Sequence, residues 1–251
     1  MEFVDEGFLL AARGHGENHA VAEIFTASHG RWAGLVYGGQ GTKMRPLLQQ
    51  GNRLRATWKG RIADSLGHFA LELEEPVAAA HLYDRLALTG LAAACAVAAA
   101  ALPEREAHPG VYDALRIVID HLDAPDIWPA LLARWELGLL AAIGFGLTLD
   151  RCAATGARDD LVYVSPKSAQ AVSAAAGEPY SDRLLRLPPF LRGGASLDGA
   201  SVEEAIDALT LTGYFVETRV FHPSDRTLPD SRMRLVDLLK ARVLKPQNEN
   251  G

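Results

Sequence analysis

The chain has 251 residues, 49% of them hydrophobic and 22% charged, the balance of a soluble globular protein with room for one large domain or two smaller ones. Two cysteines, Cys95 and Cys152, are too few for a disulfide framework or a four-cysteine metal site and fit a reducing cytoplasm. The formal net charge of −6 taken alone argues against a nucleic-acid partner, but residues 13–61 hold eight cations and two acids, net +6, leaving −12 for the rest.

The acidic start, Met1 to Glu6, has no basic region ahead of an apolar run, so no signal peptide is expected. Residues 1–76 then read as strands. A short apolar run at 7–13 is followed by a turn at Gly14-His15-Gly16-Glu17-Asn18. Residues 20–26 carry Val21, Ile24, Phe25 and Thr26, which favour strands. His29-Gly30 punctuates, and 31–37 forms a third run. A glycine loop, Gly38-Gly39-Gln40-Gly41-Thr42, leads to Lys43-Met44-Arg45-Pro46. Residues 47–61 and 67–75 give two more strands, the last with Phe69, Leu71 and Leu73 on one face. Five short strands with turn signals between them predict a small antiparallel barrel.

After Pro76 the pattern becomes helical. Residues 78–102 form one predicted helix, ended by Pro103. Its apolar run, 91–102, is twelve residues against roughly 20 for a membrane span, so a buried helix is expected and no membrane. Residues 111–122 follow, with Val111, Leu115, Val118, Ile119 and Leu122 at helical spacing. The helix at 126–143 takes Asp126 as its expected cap. Residues 150–168 are irregular, with a short strand at 161–164. Helices at 201–221 and 231–243 close the fold, with Glu203 and Glu204 in the first turn of the former. The polar tail, 245–251, is expected to be disordered. The fold class is α+β: a barrel domain at 1–77, then a helical domain at 78–244 with its insert near 150–168.

The strand around residues 53–61 alternates strictly. Arg53, Arg55, Thr57, Lys59 and Arg61 share one parity; Leu54, Ala56, Trp58 and Gly60 share the other. One face buries Leu54 and Trp58, and the other displays four cations, with neighbours about 6.6 Å apart. Such a row suits a polyanion. The competing reading is a solvated face with cross-strand ion pairs; a hairpin would set Arg55 near Glu74 and Thr57 near Glu72. The candidate nucleic-acid contacts are these four with Arg13, Arg31, Lys43 and Arg45.

Other constellations carry less. Gly41-Thr42-Lys43 has its Thr and Lys in the wrong order for a phosphate-binding loop, and Pro46 follows instead of a helix. The glycines either let a nucleic-acid backbone approach or form a plain hairpin loop. His15 and His19 stand four apart, but Gly14 and Gly16 exclude the helix a zinc pair needs. Asp120-His121-Leu122-Asp123 sits at a helix end, where a cationic histidine is stabilising. No G-x-S-x-G is present and neither cysteine lies in a nucleophile context, so no enzyme is indicated. Of the aromatics that could stack bases, Trp58 belongs to the core by parity and Trp32 is undecided.

With these residues in view, the sequence resembles the RecO family of bacterial DNA-repair and recombination mediators. The resemblance rests on Asp5-Glu6-Gly7, Arg13-x-x-Gly16-Glu17, Thr26-x-x-His29-Gly30-Arg31, Gly34-Leu35-Val36, Gly38-Gly39, Lys43-Met44-Arg45-Pro46, Leu48-Gln49 and Trp58. The stretch from Leu161 to Lys167, Asp182-Arg183-Leu184-Leu185 and Leu187-Pro188-x-Phe190-Leu191 extend it. It implies that the barrel is an OB-fold and that the partners are single- and double-stranded DNA, RecR, single-stranded-DNA-binding protein and, indirectly, the RecA filament. It implies annealing of complementary strands, loading of RecA, and a cytoplasmic, nucleoid-associated protein. Many relatives bind zinc through four cysteines in the C-terminal domain. Here Thr155 replaces the partner of Cys152 and residues 171–176 supply no second pair, so a degenerate zinc-finger region with no metal is expected, and no other cofactor. Relatives also carry cations near positions 37 and 40, where this chain has Tyr37 and Gln40. The rival from another class is an acidic helical adaptor whose barrel packs without binding DNA.

Overall fold

The structure, a computed structural model, describes residues 1–62 and 65–244; the tail at 245–251 lies outside the described residues. Five strands, β1 (Glu2–His15), β2 (His19–Thr26), β3 (Gly30–Val36), β4 (Arg53–Lys59) and β5 (His68–Glu75), close into an OB-like barrel in the order β1-β2-β3-β5-β4. The pairings are antiparallel except one. Leu35 of β3 meets His68 of β5 in parallel, and that contact closes the barrel. Leu9, Ile24, Leu54, Trp58 and Phe69 fill the interior. Trp58 is fully buried, and its indole donates to the carbonyls of Ala33 and Leu66. Trp32 is also core: it is buried and donates to His29 O at 2.7 Å.

The register of β4 on β5 differs by two residues from the hairpin expected. Leu54 lies opposite Leu73, Ala56 opposite Leu71 and Trp58 opposite Phe69. Every inward residue of β4 thus meets an apolar one, whereas the expected register would have set Leu54 against Glu75. The strand is also shorter than the 47–61 expected: it runs from Arg53 to Lys59, so Arg61 lies beyond its end. Residues 47–52 are turns, pinned by the buried Asn52, whose amide donates to Pro46 O at 2.7 Å and whose Oδ1 accepts from Ala78 N.

Strand β1 is buried on both faces between Gly7 and Leu10. The barrel is followed by α1 (Val77–Ala80), α2 (Arg85–Ala101) and α3 (Pro109–Asp120), of which α2 and α3 cover the outward residues of β1. Tyr112 of α3 packs its ring against Phe8 and Phe25, centroids 5.3 and 5.5 Å away. Gly30, at φ +76°, leaves room for the backbone of Glu106; a Cβ there would lie 1.9 Å from its carbonyl oxygen. The strands give way to helices at Pro76, but the compact unit containing the barrel runs from Met1 to Asp123 and the second begins at Ala124. The single helix expected at 78–102 is two, because Asp84 caps the second, accepting from Ala87 N at 2.9 Å.

The second unit is built on α4 (Trp128–Ala142), then β6 (Leu161–Val164), β7 (Ala171–Ser173), the single turn α5 (Ala174–Gly177), β8 (Leu185–Arg186), α6 (Val202–Val216) and α7 (Asp230–Leu244). Strand β6 lies between β7 and β8 in a small sheet. Ser201 and Glu204 form a reciprocal capping box on α6. Asp126 does not cap α4; its carboxylate takes Arg242 at 2.9 Å instead. Glu136 of α4 and Arg232 of α7 are buried together, at 0% and 1% exposure, and Arg232 donates to both carboxylate oxygens and to Leu209 O. Thr212 of α6 also donates to Glu136, so every element of the cluster is hydrogen-bonded. Among the described residues, no helix is long and apolar enough to cross a membrane.

Candidate nucleic-acid interface

The eight cations proposed as DNA contacts divide by what surrounds them. Arg31 is 14% exposed. It pairs with Glu23 at 2.8 Å and Glu104 at 3.6 Å, and its Nε donates to Leu102 O. Arg53, 23% exposed, is held by Asp120 at 2.8 Å and Glu75 at 3.1 Å, with its guanidinium 5.3 Å over the Phe8 ring. Both arginines tie strands to the segments that follow the barrel. Neither presents a free charge.

Lys59 is intermediate. Its ammonium meets Glu2 at 2.9 Å, but both side chains are about half exposed (50% and 54%). A pair of that kind contributes about 0.2 to 1 kcal/mol, little enough for a phosphate to displace the carboxylate. Arg13, Lys43, Arg45, Arg55 and Arg61 are exposed and make no ion pair among the described residues. The ridge read from the alternation of β4 is therefore interleaved with acids. Glu6 stands across from Arg55 on one side and Glu72 on the other.

Arg13 lies near the end of β1, and Lys43 and Arg45 are carried by the loop after β3. The segment from Gly38 to Asn52 straps the barrel. Gln40 donates to the carbonyls of Gly16 and His19, at 2.9 and 3.0 Å, and Gly51 N donates to Leu9 O. A Cβ at Gly39 would lie 2.6 Å from that of Ala20, so this glycine serves close packing of the loop on β2. A helical turn then places Met44, Leu47 and Leu48 against the barrel core. Lys43 and Arg45 point out from the same turn.

Two features escaped the sequence reading. Arg116 of α3 lines a cleft of about 650 Å³ with Arg53, Arg55, Tyr112 and Glu6. Helical spacing places Arg116 on the face of α3, but nothing in the sequence brings that face to β4. The second is Tyr37, 61% exposed in the turn just after β3, with the His19 ring 5.4 Å away and the His68 ring 5.6 Å away. Phe8, Phe25, Trp32 and Trp58, the aromatics weighed for stacking, are all buried.

In the second unit, Cys152 is buried and its sulfur accepts from Ser173 N at 3.3 Å and Ser173 Oγ at 3.5 Å. Burial pushes the thiol up. Hydrogen bonds from the Ser173 and Thr155 side chains and from backbone N–H groups of Ser173 and Ala154 outweigh it, bringing the pKa to about 6. The residues do not fit zinc. Cys152 is the lone thiol of this region, and no group of three metal-ligating side chains occurs among the described residues.

The geometry defines an α+β protein of the OB-barrel class, with exposed cations on the barrel and a helical region after it. The family models described as recombination protein O N terminal and C terminal match residues 1–75 and 82–228. A DNA repair protein RecO of Phenylobacterium zucineum is 51% identical over 239 residues, covering 95% of this chain and 98% of its own. Proteins of the same name from Methylorubrum extorquens and Caulobacter vibrioides are 48% and 49% identical over 242 and 240 residues, again at 95% and 98% coverage. The chain belongs to the RecO family of DNA repair proteins.

Proposed function

We propose that this protein is a non-enzymatic recombination mediator that binds single- and double-stranded DNA through its barrel and anneals complementary strands. With RecR and single-stranded-DNA-binding protein it helps load RecA, in the cytoplasm and at the nucleoid. The observation that carries the reading is the set of five exposed cations, Arg13, Lys43, Arg45, Arg55 and Arg61, without ion pairs among the described residues, in a chain of net charge −6. A cation left unpaired beside abundant carboxylates is available to phosphate. Lys59 can join them by giving up Glu2. Arg31 and Arg53 are withdrawn from the contact set, because exchanging their carboxylates would loosen the barrel from the segments packed on it.

Phosphate contacts supply affinity without sequence preference and make it salt-dependent. Neutralised strands approach each other with less repulsion, while their base edges stay open for pairing. If five phosphates are engaged on a single strand, log K falls with log salt at a slope of about −3.5. Changing Arg13, Lys43, Arg45 and Arg55 together to Ser should bring the slope to between about −0.7 and −1.4, set by Arg61 alone or with Lys59, with the thermal midpoint held. An unchanged slope in that variant would point to the rival, an acidic helical adaptor, which the internal pairing of Arg31 and Arg53 favours.

A further inference from the structure

Tyr37 is an exposed tyrosine that is nonetheless held in place. The His19 ring stands edge-on to it, at 88°, and the His68 ring is tilted by 53° on its other flank. His19 is itself fixed, since its Nδ1 accepts from Gly38 N at 3.3 Å. His19 opens β2 and His68 opens β5, and Tyr37 directly follows the last residue of β3, so the barrel frame sets the geometry of this trio. Tyr83 is still more exposed, at 99%, yet has no ring neighbour among the described residues.

Cations flank the trio along the barrel rim. Lys59 is the cross-strand partner of His68. On the other flank, His15 pairs with His19, and Arg13 lies two residues along β1 from His15. Gln40, three residues after Tyr37, ties this rim to the β1–β2 hairpin. A pre-ordered aromatic face between positive charges has the chemistry of a site for an unpaired nucleobase, with a phosphate on each side. Stacking engages the face of a base and leaves its pairing edge in water, so such a site holds a strand without blocking its complement.

We propose that Tyr37, seated between His19 and His68, is a stacking platform for one base of single-stranded DNA. The inference rests on the DNA-binding reading and adds to it a preference for unpaired strands at this rim. In a duplex the base faces are covered by their neighbours, so the platform has nothing to receive.

The test compares the wild-type chain with Tyr37→Ala and Tyr37→Phe for binding to a thymine oligonucleotide, to an abasic strand of equal phosphate number, and to a duplex. Tyr37→Ala should weaken binding to the thymine strand roughly 5- to 150-fold, as loss of one stacked base does, while Tyr37→Phe binds like wild type. Affinity for the abasic strand and the duplex should be the same for all three proteins. Equal affinity of wild type and Tyr37→Ala for the thymine strand would overturn the platform and leave DNA binding standing. Failure of the wild type to bind any of the three would overturn both. Unfolding midpoints of the variants, read by circular dichroism, separate a stacking loss from a folding loss.

Discussion

The barrel and the helical unit treat charge in opposite ways. In the helical unit, Arg232 and Glu136 are taken wholly out of water, and Thr212 and the Leu209 carbonyl complete their hydrogen bonding. In the barrel, cations stay at the surface, some tied to a carboxylate and five with none among the described residues. A fully buried pair serves the fold, because removing either member strands a charge without solvent. An exposed cation without a carboxylate contributes little to the fold and is available to a ligand. Arg53 lies between the extremes: partly covered, doubly paired, and with its Nε buried without a partner.

The contrast can be broken most forcefully at Arg232. Arg232→Met should cost about 3 to 5 kcal/mol of stability in urea unfolding, by leaving Glu136 buried and uncompensated. Adding Glu136→Leu should recover most of that loss, because an apolar pair of similar volume replaces a desolvated ionic one. A double variant no better than the single would mean that the pair itself, and not the stranded charge, holds α4, α6 and α7 together.

Cys152 sharpens the same contrast through pH. Its folded pKa of about 6 lies below the ordinary thiol value near 9. A group depressed on folding contributes stability that is fully present above the unfolded value and lost as pH falls through the folded one. Urea midpoints should therefore rise from pH 6 to pH 9 more steeply for the wild type than for Cys152→Ala. Parallel curves would show that the hydrogen bonds from Ser173 and Thr155 do not hold a thiolate.

A smaller effect is expected at Arg53. Arg53→Ala should destabilise by about 1 kcal/mol, the scale of partly exposed pairs with a ring contact, and leave the salt slope of DNA binding unchanged. A lowered slope would place this arginine among the phosphate contacts after all.

Much of this architecture was legible in the residues. Alternation from Leu54 to Trp58 gave the inward face of β4, and the change at Pro76 marked the switch to helices. The RecO resemblance rested on motifs spread along nearly the whole chain and agrees with the family matches. What stayed hidden depends on partners remote in sequence. Arg31 meets Glu104, and Arg53 meets Asp120, across 73 and 67 residues, so neither could be told from a free cation. Tyr37 escaped for the same reason, since its flanking rings come from β2 and β5. The association of α1 to α3 with the barrel did leave a trace: Phe8-Leu9-Leu10 is apolar without alternation, the mark of a strand covered on both sides.

The packing of Tyr112 on Phe8 and Phe25 decides where this molecule can be cut. Scissors placed at Pro76, where the strands end, would bare two phenylalanines on the outside of the barrel and strip Arg53 of Asp120, yielding a sticky fragment. Severed after Asp123, the front portion keeps Tyr112 over those rings and Asp120 on Arg53.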